Sequence, residues 1–248
     1  MKIDFLMLSL AFTILSGIPL YLYFRKKMSQ RKIKYIKVEK RVVKLTLINI
    51  ILTLIITVQL LGIFINVLLR KNSYDMPTII LSIFFITTGY LIFYGAGMYI
   101  TSIVIEDYVK SAFEKNKSLF IPLQVIKLFH GPLSHILLYC GCLFALLELS
   151  LLDYIRPAML DSSAIPIPII LGLLGGIFWT ACAIASKTYR YQLVVVIFCI
   201  VLLGSLSIWQ GINIILFPIY SFFFNVCIAF IISFVFYVKI NRFLKTHA

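Results

Sequence analysis

Acidic residues are scarce in this chain, nine Asp and Glu against 23 Lys and Arg in 248 residues, and charged residues together make up only 13%. Soluble globular domains carry about 25% charged residues. A soluble domain that covers its own core with polar side chains is therefore excluded. Catalytic signatures are lacking as well. There is no Gly-x-Ser-x-Gly elbow, no His-Glu-x-x-His, no P-loop and no glycine-rich dinucleotide fingerprint. This removes the motif-based grounds for a serine hydrolase, a zinc peptidase or a nucleotide-driven enzyme. An enzyme is the less favoured class on these absences.

Cysteine chemistry is equally thin. Cys140, Cys142, Cys182, Cys199 and Cys227 all fall in apolar runs, where a thiol behaves as a small hydrophobe, and no two make a Cys-x-x-Cys pair. The last apolar run has no lysine to carry retinal, and His130 and His135 on one helix cannot clamp a haem from both faces. No metal and no cofactor is expected. The excess of basic residues comes without the aromatic interleaving of a nucleic-acid surface, so no nucleic-acid partner is expected.

What the chain does have is apolar length. Hydrophobic residues reach 62%, gathered into seven runs of bilayer-spanning length at about 3–24, 45–69, 78–105, 129–152, 166–186, 193–214 and 216–238. The pattern predicts an all-α polytopic membrane protein, a bundle of seven transmembrane helices in one integral domain. Residues 25–44 hold ten basic residues and one acid, Glu39. With that loop cytoplasmic, 19 of the 23 basic residues lie on the cytoplasmic side, which places the N-terminus outside and the C-terminus inside.

The expected location is the plasma (inner) membrane. The first run is read as a retained span, because basic residues follow it rather than precede it. Loop 25–44 is topogenic and can also hold anionic lipid headgroups or dock a partner in a homo- or hetero-oligomer. Segment 106–128 reads as a cytoplasmic loop or interfacial helix, with Pro122 breaking the chain before the fourth span. The short uncharged turn between the last two runs leaves six spans as the alternative to seven.

The fourth run carries the most chemistry: Phe129-His130-Gly131-Pro132-Leu133-Ser134-His135. Counting about 100° per residue from His130, Ser134, Gly141, Ala145 and Glu148 fall on one stripe. His135, Tyr139 and Cys142 form a second cluster, and Pro132 is expected to disturb the phase. Ionisable groups inside a span are costly, so His130, Ser134, His135, Tyr139 and Glu148 are taken as candidates for a substrate or proton path. His130 and His135 are the catalytic candidates. Glu106 and Asp107, ending the third run beside His130, are candidates for a cation or partner contact. The plainer reading has them answering nearby lysines.

Polar pairs in other runs (Asn49, Thr53 and Thr57; Tyr90 and Tyr94; Ser221 and Asn225) read first as hydrogen-bonding glue between helices. The small-residue faces Gly172–Gly176–Thr180 and Gly89–Gly97–Thr101 read as close helix packing. The leading functional reading is a transporter or permease-like protein for a small solute. It would rock around a polar site on the fourth span, coupled to protonation of His135, with breaks at Pro19, Pro132 and Pro218. A second reading is an intramembrane enzyme acting on a lipid or isoprenoid through His130 or His135. A third is a signalling or assembly subunit without a site of its own.

Overall fold

The computed structural model describes residues 51, 54–158 and 164–246. The expected first span at 3–24, the basic loop 25–44, and Asn49 and Thr53 of the second run lie outside the described residues. Every regular element among the described residues is helical. The short apolar helix α1 is Leu54–Leu68. It is followed by α2 (Met76–Lys115), α3 (Phe120–Leu128), α4 (Ser134–Ile155), α5 (Pro166–Ala185), α6 (Tyr189–Gln210) and α7 (Pro218–Thr246). Five stretches are long and apolar enough to cross a membrane: Met76–Glu106, Phe120–Ile155, Pro166–Ala185, Tyr189–Gln210 and Pro218–Ile240. The protein is thus a multi-pass helical protein of membrane type.

Local chemistry sets the helix limits. Asp75 caps α2 by accepting the backbone N–H of Thr78 at 3.1 Å, and Pro77 occupies its first turn. The Thr78 side chain, and after it this backbone N–H, hold the Asp75 carboxyl below its usual range. At the other end α2 runs to Lys115 and the next helix opens at Phe120, so segment 106–128, expected as a loop or an interfacial helix, is helical except for a short turn. Pro122 does not break the chain. It lies in the first turn of α3, where a missing N–H leaves no helical bond unmade. Between α6 and α7, Gly211 takes a left-handed φ of 63° and Pro218 opens the next helix. The region 193–238 is therefore two full helices rather than one re-entrant segment.

Two helix pairs make up most of the bundle. In the first, α2 and α4 run antiparallel and close on Gly95, where an added Cβ would sit 2.8 Å from the Leu138 nitrogen. In the second, α5 and α7 run parallel. A Cβ on Gly172 or Gly176 would run into the carbonyl oxygens of Phe222 or Val226, and Thr180 donates to Gly176 O at 2.8 Å. That small-residue face packs as expected. Among the described residues the Gly89–Gly97–Thr101 face shows no such contact, since a Cβ at Gly89 or Gly97 would meet nothing within 4 Å. Gly95, two residues from Gly97, carries the α2 contact instead.

The pairs join unequally along their length. On α4 the residues from Gly141 to Asp153 are mostly buried, whereas from Phe129 to Cys140 only Ser134 is. On α7 burial runs from Phe217 to Phe230 and stops, with every residue from Ile231 to Ile240 half-buried or exposed. The core belongs to the Asp153 end of the bundle, and the His130 end is left comparatively open.

Candidate functional site

Pro132 cannot donate a backbone hydrogen bond, and its ring crowds the carbonyl one turn back. The helix answers by widening into a π-turn over Phe129–Leu133, with Ser134 N–H reaching Phe129 O. Beside this turn His130 Nδ1 contacts a carboxylate oxygen of Glu106 on α2, while Lys110 engages the other oxygen. Glu106 therefore answers both a lysine of its own helix and a histidine of the next. Asp107 follows it on α2, and its side chain lies outside the described set.

From this pair a line of polar and aromatic groups crosses the bundle. The Tyr99 ring lies 5.3 Å from His130 and 4.9 Å from His135, centroid to centroid. His135 meets Tyr139 at 5.8 Å, and Tyr139 meets Trp179 of α5 at 6.2 Å. Trp179 Nε1 donates to Gln192 Oε1 at 2.7 Å, and Gln192 Nε2 donates to Thr188 Oγ1 at 2.6 Å. His135, Tyr139, Tyr99 and Trp179 are each only half-buried. They are the groups on the facing sides of the two helix pairs where burial runs out.

The stripe has a different fate. Ser134, Gly141, Ala145 and Glu148 do share a face, and that face is packed against α2 rather than lining a broad cavity. Ser134 Oγ donates back to His130 O at 2.9 Å and lies within 3.3 Å of His135 Nδ1. Gly141 fits beneath Ile92. Glu148 Oε1 accepts the hydroxyl of Thr88 at 2.8 Å, and its Oε2 has no hydrogen-bond partner among the described residues. A cavity of about 280 Å³ opens beside the seam, lined by Thr57, Leu60, Phe85, Gly89, Tyr90 and Ala145 among others. Tyr90 and Tyr94 are exposed, and Asn225 donates within its own helix to Ser221 O at 2.8 Å.

A polar knot at the opposite end has no counterpart in the sequence reading. Asp153, fully buried, accepts from Arg70 Nη1 at 2.5 Å on one oxygen. Its other oxygen accepts the N–H groups of Ile219 and Tyr220 at 2.8 and 3.2 Å. It thus caps α7 from another helix, with its charge at the positive end of that helix's dipole. Arg156 donates to the carbonyls of Val67 (3.2 Å), Leu68 (2.6 Å) and Ser73 (2.7 Å), and also to that of Lys71. In return Arg70 and Lys71 donate to the carbonyls of Arg156 and Ile155 at 2.9 and 2.8 Å. The ends of α1 and α4 cap each other. The expected spans end at 69 and 152, which leaves Arg70, Lys71, Asp153 and Arg156 just outside them. The available signal was an acid beside an apolar run, three residues before an arginine.

Among the described residues no group of three His, Cys, Asp or Glu side chains stands close enough to hold a metal ion. No protein-family model, curated protein or solved structure matches the chain.

Proposed function

We propose that the protein is a transporter or permease-like protein of the plasma (inner) membrane, with its solute site between the two helix pairs at the His130 end. The observation that carries this reading is the unequal burial along α4 and α7. One end is tied by buried charges, and the other parts around half-buried His135, Tyr139, Tyr99 and Trp179. Rocking of one pair against the other about the tied end would open and close such a cleft. The basic-residue bias puts the His130 end on the cytoplasmic side. The π-turn supports the reading further, since such turns recur at functional sites.

The test is thiol access. Tyr139→Cys, in a version with the five native cysteines replaced, is labelled with a membrane-impermeant reagent from each side. Labelling from the cytoplasmic side, altered by a transported solute, is the expected result. Silence from both sides in a folded protein overturns the reading.

A second reading draws on the Glu106–His130 contact, because a carboxylate that orients an imidazole is the arrangement general acid–base catalysis uses. It places a lipid-processing site at the same end. Loss of turnover of a lipid substrate in His130→Ala, at unchanged protein level, would support it over transport.

A further inference from the structure

Among the described residues, Glu148 is the one buried acid with an oxygen that no donor reaches. It lies seven residues, or about 10 Å, inside the Ile155 end of α4. Its surroundings supply one neutral partner, Thr88 of α2. The basic groups nearest along the bundle are engaged elsewhere: Arg70 with Asp153, Arg156 with backbone carbonyls, and Lys71 with Ile155 O. No charged or titratable side chain among the described residues of α1, α2, α6 or α7 pairs with Glu148. A bare carboxylate at this depth is costly, so the site holds one positive charge, either its own proton or a cation from outside the protein.

The neighbouring cavity suits the second. Its wall begins one helical turn from Glu148, at Ala145, and takes in Gly89, which follows Thr88. Phe85, Tyr90 and Phe93 give it three aromatic rings, whose faces attract cations, and its remaining lining is almost wholly apolar. Leu61, Ile86 and Tyr90 of that wall are exposed, so among the described residues the cavity opens on the flank of the bundle between α1 and α2.

We infer that Glu148 and this cavity bind a lipophilic organic cation, which enters from the bilayer side and replaces the carboxyl proton. The O–H bond of Glu148 breaks, the proton leaves to water, and the cation neutralises the carboxylate. The inference rests on the transport reading for its purpose and names the substrate class, although the binding step can be tested by itself.

The test uses the full chain in lipid nanodiscs, titrated with tetraphenylphosphonium in two buffers of different protonation enthalpy. One cation is expected to bind per chain with release of one proton. Glu148→Gln, which keeps the bond to Thr88, is expected to weaken binding by about 30-fold or more and to abolish proton release. Glu148→Asp retains both. Gly89→Leu fills open space in the cavity wall and is expected to weaken binding through loss of room. Absence of binding to the wild type, equal binding to Glu148→Gln, or binding without proton release each overturns the inference. Labelling of Tyr139→Cys separates the two proposals. A labelled cleft without cation binding leaves transport standing and removes this site. Glu148-dependent binding with a silent cleft keeps this site and removes the cleft.

Discussion

The two ends of the bundle use charge in opposite ways. At the Asp153 end, charged side chains go mainly to backbone: Arg156 to four carbonyls, Asp153 to two N–H groups, Arg70 and Lys71 to the end of α4. At the His130 end side chain meets side chain, with Glu106 between His130 and Lys110, beside a helix already widened by proline. Helix termini have a fixed demand for donors or acceptors, so the first kind of pairing has few alternatives. Side-chain pairs at partly exposed positions can be exchanged at little cost. The difference separates an end built to stay closed from one able to change partners.

Asp153→Ala should break that comparison hardest. It strips the α7 cap and leaves Arg70 without its acid, which is expected to cost about 3–5 kcal/mol, seen as a large drop in the unfolding midpoint in mixed micelles. Arg156→Lys sharpens the point that geometry matters as well as charge. A lysine cannot hold the four carbonyls of segment 67–73 as a planar fork does, and a loss of about 1–3 kcal/mol is expected in the same assay. His130→Ala at the other end should change stability by no more than about 1 kcal/mol, because the histidine side chain is 29% exposed and Glu106 keeps Lys110. Its effect should appear instead in the thiol labelling of Tyr139→Cys. Asp75→Asn should give the smallest change. The Asp75 pKa is depressed in the fold, so its contribution is present above the ordinary carboxylate range and fades as pH falls through the folded value. The substitution should remove a small contribution at neutral pH, flatten the acid limb of a stability–pH curve and leave stability below the folded value almost untouched.

Much of the fold could be read from the sequence because apolar length and helical period are local properties. The last five expected runs correspond to the five long apolar helices, and Gly172, Gly176 and Thr180 pack as their spacing implied. Ser134 and Glu148 do share a face by period, but period alone does not say whether a face meets another helix or an opening. The same limit explains Gly89 and Gly97, which share a face that nothing among the described residues covers closely. Pro122 misled because proline ends a helix only where an N–H is needed. The partners of the knot could not be read. They lie 66 to 89 residues apart, and a charge beside an apolar run looks the same whether it meets water or the end of a distant helix.

The exchange of caps between α1 and α4 has a consequence for biogenesis. The carbonyls of Val67, Leu68, Lys71 and Ser73 meet their partner only when Arg156 has been synthesised and its helix has inserted. A growing chain therefore carries an unfinished helix end through the making of α2, α3 and α4. Limited proteolysis of chains arrested shortly before and shortly after residue 156 should show segment 69–75 becoming protected between those two lengths. The arginine then serves as a checkpoint, and the first half of the protein is complete only when the second half has begun.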